Sequence, residues 1–306
     1  RGTSIYLPTG NLPMFPPRVA HDTLSLIAGQ KRPSLTTMIT LDENDQVVDT
    51  DWIVSTVEVD HRLTYDQADE KLASDESGDL PEVLSRLERA TERWRERRHE
   101  KGAVSIDLPD LKLDVDFSGS SPAVTPRVVD RDSPSRDMVG EAMILGNRLM
   151  GEFCREHDIP MIYRSQDTPE GEIHTDEVMS IPEGYAREFA KIYKMKPGDI
   201  TTEPSPHFGL GLSVYAQASS PIRRYGDLVY QRQIKAFLRE EGLPYDEDEI
   251  LQVMATVEAT ANEAKAAQRE TQRYWTIYYL DQIGDESLEA TVLDHKNHNE
   301  TDGAVF

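Results

Sequence analysis

Cysteine is nearly absent: Cys154 stands alone in 306 residues. A single thiol excludes an internal disulfide and fits a reducing compartment. It falls within a helical pattern, so a buried, inert thiol is expected rather than a nucleophile. Long apolar runs are also missing, and none approaches the ~20 residues that cross a bilayer as a helix. The opening Arg1-Gly2-Thr3-Ser4-Ile5-Tyr6 has no apolar core with a cleavage site, so no signal peptide is expected. The sequence holds no His-Glu-x-x-His, paired-cysteine or Walker pattern and no internal repeat. Positive charge is scarce: 33 Lys and Arg stand against 56 Asp and Glu, a formal net charge of −23. That balance argues against a broad basic footprint for nucleic acid. It leaves room for a narrow cleft that focuses its own field with a few arginines.

What is present reads as an α+β chain. Arg1 to Pro17, rich in Pro and Gly, is expected to be extended and loop-like. Leu35, Thr37, Ile39 and Leu41 alternate with polar positions, as do Ile53, Ser55, Val57 and Val59. Asp42-Glu43-Asn44-Asp45 lies between the two runs, so an antiparallel hairpin is predicted. Glu82 to Lys101 reads as a helix with an apolar stripe and an arginine- and glutamate-laced face, expected to be solvated. Ser105 to Phe117 alternates as a strand with a break at Pro109. Ser118 to Arg136 reads as a loop, and Met138 to His157 as a helix. A further helix is expected over about Pro221 to Glu240. A long one follows from about Asp248 to Ile283, its seam interrupted by Gln268. Leu288 to Leu293 alternates again.

The segment richest in chemistry runs His207-Phe208-Gly209-Leu210-Gly211-Leu212, then Tyr215, then Ser219-Ser220-Pro221-Ile222-Arg223-Arg224-Tyr225-Gly226-Asp227. Ser220 suits an N-cap and Pro221 the first helical position. Arg223 and Arg224 would then lie in a first helical turn, where the dipole disfavours cations. Two arginines held there suggest a resident anion, since the guanidinium fork matches phosphate. The alternative is structural pairing with Asp227, i+4 from Arg223 and i+3 from Arg224. His207 either lines a channel or is a satisfied core histidine. Gly209-Leu210-Gly211 is too short for a phosphate loop and points to close backbone packing. Asp107, Asp110, Asp114 and Asp116 are the nearest acidic candidates for a metal, with Asp114 and Asp116 on one strand face, but exposed strand carboxylates are common; Asp130, Asp132 and Asp137 lie in a loop and fare no better.

Several ordered strings resemble the RNB-domain exoribonucleases, the ribonuclease II and ribonuclease R family. They are Arg1 to Pro8 with Leu12-Pro13-Met14, Arg62-Leu63-Thr64-Tyr65, Glu141-Ala142-Met143-Ile144 with Asn147, Ile162-Tyr163-Arg164, His207 to Leu212, and Ser220 to Asp227. The resemblance implies an RNB-type catalytic domain over residues 1–284, with a mixed or antiparallel sheet and long helices. The tail 285–306, with Ala290-Thr291-Val292-Leu293-Asp294, resembles the start of an S1-type OB-fold. The implied activity is 3′→5′ hydrolysis of single-stranded RNA to nucleoside 5′-monophosphates by a two-metal mechanism, in the cytoplasm, by a monomer. Arg223 matches the arginine aimed at the scissile phosphate and Tyr6 a tyrosine that stacks on the terminal base. Ser220 and Arg224 would contact RNA beside them. Gln268 stands, within a residue, where the family has a nucleotide-contacting glutamate. It either keeps that contact without charge or sets the packing register of the long helix. The family's Mg²⁺ ligands are aspartates upstream of the Arg-Gly-Thr-Ser string, so no metal ligand is assigned among these residues. The alternative is a non-catalytic RNA-binding protein on the same fold.

Overall fold

The computed structural model describes residues 2–74, 77–108, 110–129, 133–288, 290–295 and 303–305. The chain opens with a short hairpin, β1 (Ile5–Leu7) and β2 (Gly10–Leu12), where a loop was expected. The predicted long hairpin is β3 (Lys31–Leu41) and β4 (Val47–Glu58), antiparallel throughout. Its turn works as the acidic tetrapeptide suggested. Asp42 Oδ1 accepts from the backbone N–H groups of Asn44 and Gln46 at 2.9 and 2.8 Å, and Asp45 takes a positive φ of 56°.

Two helices follow, α1 (Tyr65–Leu72) and α2 (Asp79–Glu100). Thr64 and Gln67 form a reciprocal capping box on α1. The charged face of α2 is less solvated than expected. Arg93 pairs with Asp45 at 2.7 Å, Trp94 Nε1 donates to the Asp45 carbonyl at 2.7 Å, and Arg97 donates to the same carbonyl at 3.0 Å. Arg95 meets Asp137, and Arg98 makes a buried ion pair with Glu141. These arginines clamp the β3–β4 turn and a neighbouring helix, a use that helical periodicity alone does not reveal.

A second ribbon joins β5 (Asp110–Asp116) to β6 (Ala123–Val129). The sequence reading placed β6 in a loop. Pro126 sits within it opposite Leu113, a position an edge strand tolerates because the missing N–H need not reach a partner. The expected break at Pro109 lies outside the described residues. The next helix, α3 (Pro134–Glu156), starts four residues earlier than expected, with Ser133 accepting from Arg136 N as its N-cap. Then come β7 (Tyr163–Ser165), α4 (Asp176–Ser180), α5 (Tyr185–Lys194) and β8 (Asp199–Thr201), which pairs with β7.

Two helices complete the core, α6 (Tyr225–Leu238) and α7 (Glu247–Ile283). The start of α7 is fixed by a capping box between Asp246 and Glu249. The main core gathers Met150 and Cys154 of α3, Ile162 and Tyr163, Val214 and Ala216, Val229 and Ile234 of α6, and Ile250 and Val253 of α7. Burial raises the Cys154 thiol to about 12, so it is the inert core thiol the sequence suggested. Trp52 of β4, Phe153 and Phe237 stack at 5.4 and 5.6 Å and fasten the long ribbon to α3 and α6. A smaller cluster packs Trp275 of α7 on Leu113 and Val124 of the second ribbon.

The architecture is therefore helices carrying separate two-stranded antiparallel ribbons, not one larger sheet, among the described residues. The tail forms a last ribbon, β9 (Val292–His295) with β10 (Gly303–Val305). Residues 289, 296–302 and 306 of the expected OB-fold start lie outside the described residues. Among the described residues no helix is long and apolar enough to cross a membrane.

Candidate functional site

The predicted helix start at Pro221 is not observed. Ser220 does not cap a helix; its carbonyl accepts from the N–H groups of Arg223 and Arg224 at 3.1 and 3.0 Å, closing a tight turn. Arg224 is extended, with φ −136° and ψ 127°, and α6 begins only at Tyr225. The cause lies 220 residues away in sequence. Residues Gly2 to Ser4 run alongside this turn, with an antiparallel bridge between Thr3 and Arg224. Ser4 N donates to the Arg223 carbonyl at 2.9 Å, Thr3 Oγ1 to the same oxygen at 3.1 Å, and Tyr225 N to the Gly2 carbonyl at 2.9 Å. Gly2 is required there: a Cβ would lie 2.1 Å from Thr260 Oγ1 of α7.

Asp227 is the internal anchor of the turn. It is 2% exposed and accepts from Ser220 N at 2.7 Å, Arg224 Nε at 2.9 Å and Arg224 Nη2 at 2.6 Å. Burial pushes its carboxyl above the ordinary value, while Arg224 and the Ser220 N–H oppose the shift. The structural pairing weighed for this segment is thus what Arg224 does. Arg223 is different. Its backbone is clamped, its side chain is half-buried, and its guanidinium has no ion-pair or hydrogen-bond partner among the described residues.

Tyr6 projects from β1, 46% exposed, so it is not a core tyrosine. Gln268 Nε2 of α7 donates to the Tyr6 carbonyl at 3.2 Å. The structure therefore brings Tyr6 and Gln268 together. It joins Tyr6 to Arg223 through the Thr3–Ser4 backbone, and it gives Gln268 a role in seating β1 on α7.

Sequence reasoning gave no separate role to two supporting residues, Asn147 and Tyr215. Asn147 of α3 donates to Tyr215 Oη at 2.9 Å, and its own oxygen accepts from Ala218 N at 3.0 Å. It thereby fixes the strand-like run that leads into Ser220. Both residues lie in or beside the family-like strings, but only the folded contacts show what they hold.

His207 packs edge-on against Tyr215, with ring centroids 5.7 Å apart. Its Nδ1 is buried without a hydrogen-bond partner among the described residues. Burial lowers its pKa, with Arg164 adding to the effect. The folded protein resists protonating this ring below the ordinary histidine value while the unfolded chain accepts the proton. Its stabilising contribution is full above the ordinary value and is lost as pH falls toward the folded one. Stability should therefore drop on acidification below about pH 6.5, and His207→Phe should flatten that part of the profile. Urea midpoints across pH 5 to 8 check this; an unchanged slope in His207→Phe would refute it.

Gly211 closes the turn after Leu210 at φ +64°, and a Cβ there would meet the Arg98 carbonyl at 2.6 Å. Arg98 Nη1 donates to the Leu210 carbonyl at 3.0 Å, binding this turn to the end of α2. Close packing, as expected, is the function of the glycine. Gly211→Ala should cost at least the ~1–3 kcal/mol of a left-handed non-glycine residue, read from the urea midpoint; a cost well below 1 kcal/mol would mean the contact relaxes freely.

Among the described residues no group of three or more His, Cys, Asp or Glu is arranged to hold a metal ion. Three of the acidic candidates are engaged elsewhere: Asp114 with Arg127 at 3.1 Å, Asp116 with Ser118, and Asp137 with Arg95. Asp130 and Asp132 lie outside the described residues.

This fold and these strings agree with comparison to known proteins. The RNB domain family model matches residues 1–240, and the chain belongs to that family. An uncharacterized ribonuclease of Synechocystis is 37% identical over 294 residues, 96% of this chain and 43% of the relative. Exoribonuclease 2 of Shigella dysenteriae is 29% identical over 289 residues, 83% of this chain and 44% of the relative. The chain thus spans less than half the length of these relatives. Mycoplasma genitalium RNase R, solved with ribose-methylated single-stranded RNA, superposes with a TM-score of 0.82 at 19% identity, covering 96% of this chain and 52% of that one. Yeast Ssd1, described as a pseudonuclease, superposes with a TM-score of 0.73 at 18% identity, covering 96% and 40%. At these identities the two structures share the fold.

Proposed function

We propose that this chain forms the larger part of the catalytic region of a 3′→5′ exoribonuclease that hydrolyses single-stranded RNA to nucleoside 5′-monophosphates. The observation that carries the reading is Arg223: a half-buried guanidinium without a protein partner among the described residues, on a turn clamped by Thr3, Ser4 and Asp227. Such a cation is ready for a phosphate, and a guanidinium held in place stabilises the charge that grows on phosphoryl oxygens during hydrolysis. Tyr6, exposed on the adjoining ribbon, offers a face for the terminal base; stacking tolerates any sequence and contributes roughly 1–3 kcal/mol per base. Ser220, Arg224 and Gln268 shape the turn and the β1 seat around these two. Mg²⁺, with the carboxylates that hold it, belongs in this reading to residues outside the 306. The tail 285–306 begins an S1-type domain, and the protein works in the cytoplasm as a monomer.

The test is to incubate the full natural protein with end-labelled single-stranded RNA and Mg²⁺. Release of mononucleotides that stops with EDTA supports the enzyme. Gln268, which replaces an acidic family position, favours a second reading: RNA is held by Tyr6 and Arg223 but not cut. Binding without mononucleotide release would select that reading.

A further inference from the structure

Eleven arginines among the described residues are half-buried. In an acidic chain with 56 carboxylate side chains, partners are plentiful. Nine of the eleven have one. Arg32, Arg93, Arg95, Arg98, Arg148, Arg187 and Arg224 meet carboxylates. Arg97 donates to backbone carbonyls and Arg136 lies over the Tyr65 ring at 4.2 Å. The two exceptions are Arg223 and Arg164, and both belong to one neighbourhood.

Arg164 is the middle residue of β7, and its N–H donates to the Tyr215 carbonyl at 2.8 Å. Tyr215 in turn is fixed by Asn147, which also sets Ala218 just before the Ser220 turn. Burial raises the pKa of the Tyr215 phenol; the Asn147 hydrogen bond opposes this, and the charges of Arg224, Asp227 and Arg164 act after it. Arg164 thus shares its surroundings with the pair that anchors the Arg223 turn. A cation withdrawn from water without a counter-charge is unfavourable, because desolvation is not offset. Two such cations on elements joined through Tyr215 and Asn147, in a chain with carboxylates to spare, mark a place kept for an anion from outside.

We infer that Arg164 is a second phosphate-holding side chain of this site, delivered by β7 beside Tyr215 and independent of the Ser220 turn that delivers Arg223. The inference rests on the RNA-binding reading above and extends it: the substrate backbone is gripped from two elements. Two separate guanidiniums would fix the direction of the strand across the site, which one point contact cannot do.

The test uses the full natural protein, Arg164→Gln and Arg164→Lys, with fluorescein-labelled oligouridylate and EDTA present to suppress cleavage. Affinity is measured from 50 to 300 mM salt. Each phosphate contact on a single strand contributes about 0.7 to the slope of log K against log salt. Arg164→Gln should reduce the slope by about 0.7 and leave the melting temperature unchanged, since no partner among the described residues is lost. Arg164→Lys, which keeps the charge, should keep the slope. An unchanged slope in Arg164→Gln, or a marked fall in its melting temperature, would overturn the inference; the latter would expose a structural role. If the unmodified protein itself shows no salt-dependent RNA binding, the RNA reading fails and Arg164 with it. If the unmodified protein binds steeply and Arg164→Gln matches it, only the Arg164 role falls.

Discussion

Asp227→Ala should destabilise the protein by about 3–5 kcal/mol, the usual cost of removing one partner from a buried ion pair. Three donors lose their acceptor at once: Ser220 N–H and two guanidinium N–H groups of Arg224. Arg224 would remain with its side chain 18% exposed and its charge uncompensated. Asp227→Asn should cost less, since one amide oxygen still accepts. Replacing both partners with apolar residues, Arg224→Met with Asp227→Leu, should recover part of the loss because no buried charge is stranded. The remainder would report the orphaned Ser220 N–H. Urea denaturation at pH 7 measures all three. A cost under 1 kcal/mol for Asp227→Ala would show that Arg224 escapes to solvent and that the pair does not anchor the turn.

Arg223→Ala should behave in the opposite way. Its guanidinium has no protein partner among the described residues, so the melting temperature should hardly move. On the proposed reading, mononucleotide release should fall about 10²–10³-fold, the range for losing one positioned donor to transition-state charge. RNA affinity should fall far less. Single-turnover assays with separate binding measurements distinguish these effects. Equal losses in turnover and affinity would make Arg223 a simple phosphate clamp. Two adjacent arginines are thus expected to separate cleanly, Arg224 into stability and Arg223 into chemistry.

How much of this was legible in the sequence depends on the range of the interaction responsible. The long helix α7 was readable almost to the residue, because its cap, Asp246 with Glu249, and its apolar seam are local. The β3–β4 hairpin was readable for the same reason: alternation on both sides of an Asp-rich turn. The α6 start was not. Ser220-Pro221 is good local helix-start chemistry, yet Thr3 and Ser4 capture the backbone of Arg223 and Arg224 and hold it out of the helix. With no helix start at Pro221, Arg223 and Arg224 do not sit in a first helical turn, and no helix dipole accounts for an anion there. Arg223 remains a candidate for another reason, its missing counter-charge, which only the folded contacts reveal. The β6 strand was hidden by Pro126, and the use of Arg93, Arg97 and Arg98 as clamps by the ordinary look of a charged helix face. Tyr6 and Arg223 are candidates through ordered strings shared with a family, while Asn147 and Arg164 stand in those strings without a role.

The bridge between Thr3 and Arg224 also bears on how the protein comes into being. Closing a loop of about 220 residues carries an entropic penalty of about 5 kcal/mol from chain length alone. Contacts of such long range form late, after the local helices and hairpins have condensed. Synthesis proceeds from the amino end, so the Gly2–Ser4 segment waits on the ribosome for its partner to emerge. Until then the Thr3–Arg224 bridge cannot form. The pair assembles as a closing step, and a chain halted or misfolded before Arg224 cannot present it. The turn that carries Arg223 is in this way withheld from unfinished copies of the protein.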